Sequence, residues 1–180
     1  IITFMATFHK VHIQEIKQET ASAVSVLFNI PENLKPDFKF VPGQYITLQK
    51  EIKGEEVRRA YSICSTPESG EIRVAIKAVE NGMFSTYATT DLKVGDEIEI
   101  TAPEGRFLLN PEENKNYIAF AAGSGITPIL SMVKSVLKES STATFTLVYG
   151  NKTVADTIFH EELIALKESY SSRFKLHSIY

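Results

Sequence analysis

The segment that organises the first half of the chain reads Arg58-Arg59-Ala60-Tyr61-Ser62-Ile63-Cys64-Ser65. It follows a turn at Lys53-Gly54-Glu55, which predicts a strand from Glu56 to Ser65. In such a strand Arg59 and Tyr61 share one face and Ser62 takes the other. A guanidinium fork suits a phosphate, and a tyrosine ring offers a flat face to an aromatic ligand. A surface arginine, a core tyrosine and a strand serine would give the same pattern, so this segment alone does not decide its role.

The segments around this strand alternate apolar and polar residues with the period of half-buried strands. Turn signals separate them, including Ser69-Gly70 and a proline-rich connection over 31–42. The remaining predicted strands cover 11–16, 23–30, 44–49, 72–77 and a stretch around 97–100. About six short strands joined by turns predict a small antiparallel barrel or sandwich.

A short helix is predicted between the last two of these strands. Met83, Phe84, Tyr87 and Ala88 fall on one helical face, and Gly82 stands at the start. Such a start can bind an anion, but it also fits a simple helix cap in which Ser85 satisfies backbone donors.

The pattern changes after Pro111. The run 117–122 is continuously apolar, which predicts a strand covered on both faces, and 144–149 is a second buried strand. Helices are predicted over 126–137 and 153–167, and a third strand starts at Phe174. Strand-helix-strand-helix-strand order predicts a parallel sheet. The polar stretch 110–116 divides the chain into domains 1–110 and 111–180. We expect the second domain to be C-terminally incomplete, because the chain stops on a strand.

The turn Gly123-Ser124-Gly125-Ile126-Thr127-Pro128 lies between a buried strand and an amphipathic helix. Glycines let the backbone approach a phosphate, and a helix N-terminus presents free N–H groups and partial positive charge. Proline fits the first helical turn. This is not the usual Gly-x-Gly-x-x-Gly pattern, and a plain strand-to-helix turn remains the alternative to a nucleotide site.

Composition excludes several classes of function. The 180 residues carry a net charge of −3 without a long basic run, which argues against nucleic-acid binding. No apolar run approaches the length of a bilayer span, and residues 1–9 do not resemble a signal peptide. A single cysteine, Cys64, provides neither a disulfide nor an iron–sulfur cluster, and it fits a small apolar strand residue. His9 and His12 fit surface strand positions, so we expect no metal site. Because one cysteine cannot form an internal disulfide, we expect a reducing, cytoplasmic location.

Taken in order, the motifs resemble those of the ferredoxin–NADP reductase superfamily over residues 8–180. Its Arg-x-Tyr-Ser flavin signature is matched at 59–62, with Pro42-Gly43-Gln44-Tyr45 upstream. Its flavin-phosphate turn is matched at 82–85 and its nicotinamide turn at 123–128. The resemblance implies a flavin-binding, six-stranded antiparallel Greek-key barrel over 1–110. A partial parallel α/β nucleotide-binding domain over 111–180 would follow it.

The resemblance implies that the flavin lies against the barrel. Arg59 would contact the pyrophosphate, Tyr61 would pack on the isoalloxazine and Ser62 would donate a hydrogen bond near N5. The separate phosphate turn favours FAD over FMN. The expected FAD-binding residues are Arg59, Ala60, Tyr61, Ser62, Ile76, Lys77, Gly82, Met83, Phe84, Ser85 and Thr127.

The resemblance also implies an NAD(P)H site in the second domain. Asn151 and Lys152 would line the adenosine end. A contact from Lys152 to a 2′-phosphate favours NADPH slightly over NADH, and a solvated surface lysine is equally compatible. The expected nucleotide-binding residues are Gly123, Ser124, Gly125, Ile126, Thr127, Pro128, Tyr149, Gly150, Asn151 and Lys152.

The implied reaction moves a hydride from NAD(P)H to FAD, with Ser62 and Thr127 aligning the transfer as the catalytic pair. Single electrons then pass to an iron–sulfur carrier, either a ferredoxin-type domain or an oxygenase component. The segments are most similar to reductases of multicomponent oxygenases, of the phenylacetyl-CoA epoxidase and ketosteroid 9α-hydroxylase type. Those reductases continue into a [2Fe–2S] domain, which we expect to be absent from this chain. A stand-alone flavin reductase, a non-catalytic regulatory protein that binds flavin and nucleotide, and a cofactor-free binding protein are the alternatives.

Overall fold

The computed structural model describes residues 7–180, which form two sheets and three α-helices. The expectation that no signal peptide begins the chain lies largely on residues 1–6, outside the described range. The strands are β1 (Phe8–Thr20), β2 (Ala23–Asn29), β3 (Tyr45–Ile52), β4 (Glu55–Ser62), β5 (Ile72–Lys77), β6 (Glu97–Thr101), β7 (Asn116–Ala122), β8 (Thr144–Gly150) and β9 (Phe174–Ile179). The helices are α1 (Met83–Thr90), α2 (Ile126–Glu139) and α3 (His160–Ser169). Within 7–180, no helix has the length and apolar character to cross a bilayer.

The first sheet has the strand order β4-β3-β6-β1-β2-β5, and its pairs are antiparallel. This confirms the predicted six-stranded antiparallel architecture. The ring is not closed by a continuous ladder, because its two edge strands meet only at an isolated bridge between Ile63 and Val74. The barrel is therefore open along the β4–β5 edge, beside which the candidate site lies.

Strand β4 ends at Ser62 rather than at the predicted Ser65. After Ser62 the chain leaves β3, and the Cys64 N–H donates to the Arg73 carbonyl at 2.8 Å. At the other end, Lys53 and Gly54 have φ values of 54° and 81°, which is the two-residue turn geometry that suits a tight hairpin. The hairpin predicted from Lys53-Gly54 is confirmed, with β4 starting at Glu55.

The second sheet is parallel, in the order β7-β8-β9, and confirms the predicted α/β half. Helices α2 and α3 pack against the side chains of Phe145, Leu147 and Tyr149. The prediction that β7 is covered on both faces is wrong for the described chain. Ile118 is 68% exposed and Phe120 is 77% exposed, because both helices lie on the opposite face of the sheet.

Helix α3 begins at His160, not at the predicted Thr153. The Thr153 hydroxyl oxygen accepts from the Asp156 N–H at 3.2 Å and closes a short 3₁₀ turn. Phe159 then adopts φ 61°, a left-handed conformation that interrupts helical geometry, although its ring stays buried. The 3₁₀ turn capped by Thr153 and the left-handed Phe159 therefore delay the start of the helix to His160.

The connection between the two halves is tied to the α2–β8 loop through Glu113. Its carboxylate accepts hydrogen bonds from the Ser140 hydroxyl at 2.8 Å, from the Ser141 N–H at 3.1 Å and from both the N–H and hydroxyl of Thr142. The pKa of Glu113 is lowered to about 2, mainly by the hydrogen bond from the Thr142 hydroxyl and next by the hydrogen bond from the Ser141 N–H. These donors stabilise the charged carboxylate in the folded state.

We predict that Glu113 makes folding stability depend on acid pH. Its pKa is lower in the folded chain than the ordinary 4.5, so its contribution is complete above about pH 4.5 and is lost as the pH falls toward 2. Denaturant unfolding between pH 6 and pH 2 should show a shallower loss of stability in Glu113→Gln than in the wild type. Glu112→Gln is the matched control, because the Glu112 carboxylate faces the Lys115 ammonium at 3.5 Å on the surface. Equal pH profiles for Glu113→Gln and wild type would contradict the assignment.

Candidate functional site

A cavity of about 520 Å³ lies between the end of β4, the loop from β5 to α1 and the start of α2. Its walls come from both halves of the chain, since Ser62 belongs to the barrel and Thr127 to the α/β half. Of the residues predicted from sequence, those that line it are Arg59, Ala60, Tyr61, Ser62, Lys77, Gly82, Phe84, Ser85, Ser124 and Thr127. The two residues predicted to align catalysis therefore face the same space.

Aromatic side chains form one wall of the cavity. The rings of Tyr61 and Phe84 have centroids 5.8 Å apart and an interplanar angle of 37°. Burial raises the pKa of Tyr61 to about 12, and the charge of Arg59 opposes that shift only in part. The Tyr61 hydroxyl therefore stays protonated at neutral pH and is available as a hydrogen-bond donor.

Two cations line the cavity, and the two neighbouring arginines differ in their contacts. Arg59 and Lys77 have no carboxylate within 4.0 Å among the residues that the structure describes. Arg58, outside the cavity, pairs with Glu56 at 2.8 Å and lies over the Phe8 ring at 4.9 Å. The Arg59 guanidinium donates one hydrogen bond to the Arg58 carbonyl at 2.7 Å, and its remaining N–H groups are available to an anionic ligand.

The start of α1 forms a second wall. A Cβ atom added to Gly82 would lie 2.3 Å from Ser85 Oγ and 2.5 Å from Val79 Cγ2, so only glycine fits this turn. The Ser85 hydroxyl accepts from the Val79 N–H at 3.2 Å and donates to the Gly82 carbonyl at 3.3 Å. Ser85 therefore braces the turn, and the first N–H groups of α1 are the groups suited to an anion.

The turn before α2 forms the third wall. Gly123 has φ +50°, and open space surrounds the position of a Cβ at Gly123 and at Gly125. The Thr127 hydroxyl donates to the Ser124 carbonyl at 3.0 Å, while the Ile126 side chain is fully buried. Pro128 lies in the first turn of α2, as predicted from the sequence. Backbone can approach a ligand closely here.

The residues at the end of β8 lie apart from the cavity. Tyr149 is 1% exposed, and its hydroxyl donates to the Gly123 carbonyl at 2.9 Å. Burial raises the pKa of Tyr149 to about 12. Both amide atoms of Asn151 are buried without a hydrogen-bond partner among the described residues, and Lys152 is exposed. Tyr149 therefore supports the glycine turn from beneath, next to an amide that has no partner.

Some predicted residues face elsewhere, and the sequence missed others. Ile76 is fully buried in the barrel core, and Met83 lines a neighbouring cavity rather than this one. The remaining lining residues were not identified from sequence: Ala75, Val79, Glu80 and Asn81. Asn81 has φ 58°, and the Asn81-Gly82 turn dipeptide was the available signal for this loop.

Cys64 is a structural residue in this fold. It is 1% exposed, and its thiol donates to the Arg73 carbonyl at 3.3 Å. Burial raises the pKa of the Cys64 thiol to about 12. His12 is exposed, and His9 packs edge-on against Phe38 with centroids 5.7 Å apart. Within residues 7–180, no group of three or more His, Cys, Asp or Glu side chains is arranged to hold a metal ion.

This cavity is shared by a β-domain and a parallel α/β unit with a glycine turn, and both units match families of oxidoreductases. Residues 10–108 match the model of the oxidoreductase FAD-binding domain, and residues 120–179 match that of the oxidoreductase NAD-binding domain. The chain belongs to this family of FAD- and NAD-binding oxidoreductases. Its cofactors are FAD and NAD(P)H.

Two curated relatives are a subunit of an epoxidase and the ferredoxin reductase component of a monooxygenase. The chain is 40% identical over 178 residues to a component of 1,2-phenylacetyl-CoA epoxidase from Escherichia coli (strain K12), covering 98% of this chain and 50% of that protein. It is 33% identical over 163 residues to the ferredoxin reductase component of 3-ketosteroid-9-alpha-monooxygenase from Rhodococcus rhodochrous, covering 89% of this chain and 46% of that protein. The chain thus spans about half the length of these relatives.

Solved structures share the fold at low sequence identity. Ferredoxin-NADP+ reductase from Plasmodium falciparum with 2′P-AMP has a TM-score of 0.81 and 23% identity, over 95% of this chain and 72% of that one. A ferredoxin NADP+ reductase from Neisseria gonorrhoeae, solved with bound FAD and NADP, has a TM-score of 0.79 and 22% identity, over 97% of this chain and 68% of that one. These similarities support the fold.

The residues present fit the two cofactors. A glycine that tolerates no Cβ, a helix start, an arginine without a carboxylate partner and an aromatic wall suit a flavin dinucleotide. On the other side, the open space around Gly123 and Gly125 at the start of α2 suits a nucleotide. The two sets meet at Ser62 and Thr127.

Proposed function

We propose that this chain is the flavin- and nucleotide-binding part of an NAD(P)H-dependent reductase that delivers single electrons to an iron–sulfur carrier of a multicomponent oxygenase. The observation that carries the proposal is the single cavity lined by Ser62 from the barrel and Thr127 from α2. A nicotinamide held at the α2 turn and a flavin held at β4 would meet in that cavity.

On the flavin side, the proposal gives each lining residue a physical task. Arg59 binds the FAD pyrophosphate, Tyr61 packs against the isoalloxazine, and the backbone from Gly82 to Ser85 donates N–H groups to phosphate oxygens. Ser62 donates a hydrogen bond at the edge of the ring system. The other proposed contacts come from Ala60, Ile76, Lys77, Met83, Phe84 and Thr127, with Ile76 restricted to its backbone by burial.

On the nucleotide side, the turn from Gly123 to Pro128 binds the NAD(P)H pyrophosphate at the α2 N-terminus. Tyr149 holds the Gly123 carbonyl in place, and Asn151, which follows β8, lines the adenosine end. Gly150, the last residue of β8, has no side chain that would obstruct a bound nucleotide. Lys152, exposed beside them, would meet a 2′-phosphate, so we propose NADPH as the preferred donor. Comparing reduction by NADPH and by NADH in Lys152→Ala tests this preference.

When bound, FAD accepts a hydride from NAD(P)H and releases the electrons one at a time. The residues of the chain supply position and exclude water. Ser62 and Thr127 would hold the two ring systems in position for the transfer, since misplacement by about 1 Å lowers such rates about 100-fold. Tyr61, protonated at neutral pH, would help to exclude water from the site. None of these residues needs to act as a nucleophile or a strong base.

The electron acceptor is proposed from the relatives. One of them belongs to 1,2-phenylacetyl-CoA epoxidase and the other to a ketosteroid monooxygenase. We propose the epoxidase system as the destination, through a ferredoxin-type [2Fe–2S] domain or an oxygenase component. We also propose that residues 1–110 and 111–180 form the flavin and nucleotide domains of the cytoplasmic reductase.

The visible spectrum of the purified chain tests the proposal. We expect flavin absorption that survives gel filtration and is bleached by NAD(P)H under anaerobic conditions. A bleached flavin that elutes apart from the protein would instead indicate a stand-alone flavin reductase. A retained flavin that NAD(P)H does not bleach would indicate a regulatory binding module, and a chain that cannot be reconstituted with FAD would overturn the proposal.

A further inference from the structure

The barrel half (residues 7–109) and the α/β half (residues 116–180) meet through an apolar contact with α2. Ala23, Cys64 and Ala75 of the barrel half pack in the same buried cluster as Ile126 and Leu130 of α2. Apolar packing is non-directional, so this contact by itself does not fix how far α2 slides along the barrel. A directional contact is needed to hold Thr127 opposite Ser62.

One buried hydrogen bond supplies that direction. The Ser131 hydroxyl donates to the Ser65 carbonyl at 2.6 Å, and the two residues are 0% and 4% exposed. Over the described residues, no other side-chain hydrogen bond joins 7–109 to 116–180. The ion pair of Lys138 with Glu68, at 3.5 Å, lies on the surface, where such pairs contribute little.

The position of this bond relates it to the cavity. Ser131 follows Thr127 by four residues, so both lie on the same face of α2 one turn apart. Ser65 follows Ser62 by three residues, where the chain has just left β4. The bond therefore joins the two segments that carry the cavity-lining hydroxyls, without itself lining the cavity.

We propose that Ser131 is a positioning residue, which acts through Ser65 to set the approach of the α2 N-terminus to the flavin side of the cavity. This inference rests on the proposed function and adds a residue that touches neither cofactor. Without the hydroxyl, the Ser65 carbonyl is buried without a partner, and the contact between the halves opens more often.

Cys64 provides a readout that needs no cofactor. It is the single cysteine of the 180 residues, it is buried, and it packs against α2 beside Ser65. Labelling of the native chain by a thiol reagent should be about tenfold faster in Ser131→Ala, the change expected for losing one net hydrogen bond. Ser135→Ala is the matched control, because Ser135 is a buried serine one turn further along α2 whose hydroxyl has no partner among the described residues. Its labelling rate should equal that of the wild type.

The second readout is the limiting rate of flavin reduction at saturating NAD(P)H. We expect a loss of about 10- to 100-fold in Ser131→Ala, with unchanged FAD content and unchanged half-saturating NAD(P)H. Ser135→Ala should react as the wild type does, and Ser131→Thr, which keeps the hydroxyl, should recover most of the rate. If Ser131→Ala does not fold, Ser131→Cys, similar in volume and a weaker donor, replaces it in the rate measurement.

The outcomes separate this inference from the proposed function. A wild-type flavin that NAD(P)H fails to reduce overturns the proposed function and this inference together. A wild-type flavin that is reduced, with Ser131→Ala equal to wild type in labelling and in rate, overturns the inference alone. Equal losses in Ser131→Ala and Ser135→Ala also overturn it, since they would show a general effect of serine removal from α2.

Discussion

Arg59→Ala is expected to weaken FAD binding about 10- to 100-fold, the effect of losing a charge-assisted contact between a guanidinium and a phosphate. Arg59 lines the cavity and has no carboxylate partner within 4.0 Å among residues 7–180, so its charge is not already neutralised. Titration of the apoprotein with FAD, followed by quenching of flavin fluorescence, measures the change. Circular dichroism of the same samples shows whether the variant remains folded.

Arg58→Ala is the matched control for this prediction. It removes the same charge from the adjacent residue, but Arg58 pairs with Glu56 and lies over the Phe8 ring outside the cavity. Its FAD affinity should stay within about twofold of the wild type, because Arg59 and Lys77 remain in the cavity. If both variants lost affinity equally, the effect would be one of overall charge, and the role of Arg59 would be wrong.

Gly43→Ala is expected to destabilise the chain by about 3 kcal/mol or more, through backbone strain combined with overpacking. Gly43 has φ +103°, and an added Cβ would lie 1.8 Å from the Phe107 carbonyl oxygen and 2.6 Å from Met132 Cε. Phe107 lies near the end of the barrel half and Met132 lies in α2. Denaturant unfolding should show an earlier midpoint, and flavin affinity should fall with it as the junction moves.

Gly95→Ala separates the two causes of that loss. Gly95 has φ +90°, but no atom lies within 4 Å of an added Cβ, so this variant has the strain of the backbone without the steric clash. We expect it to lose about 1 kcal/mol. Equal destabilisation of the two variants would show that Gly43 is required only for its conformation and not for the close contact with Phe107.

Much of the fold was predictable because it depends on local periodicity. Alternation around Ile46, Leu48, Ile98 and Ile100 places these side chains in one core, and the structure buries all four. Register was not predictable in the same way. The pairing of β4 ends at Ser62 because backbone groups of Cys64 and Arg73 are brought together by the turn at 67–70, a contact between residues nine apart.

The limits of the sequence also appear in β7. Its residues are apolar at every position from 117 to 122, so the pattern contains no information about which face is covered. The exposure of Ile118 and Phe120 follows from α2 and α3 both lying on one face of the sheet. For α3, the sequence predicted a start at Thr153, but side-chain capping by Thr153 and the left-handed Phe159 moved the start to His160.

The sequence by itself predicted the class of sites, because three short motifs stand in an order that resembles the ferredoxin–NADP reductase superfamily. Arg59-Ala60-Tyr61-Ser62, the Gly82 turn and the Gly123 turn each present their groups within a few residues. Tertiary structure alone decided which groups share a cavity, because Ser62 and Thr127 are 65 positions apart and meet only through the packing of α2 on the barrel. The same packing put Ser131 against Ser65, and the parallel pairing of β7 with β8 put Tyr149 beneath the glycine turn. Hydrogen bonds between distant residues depend on how whole elements dock, which local sequence patterns do not specify.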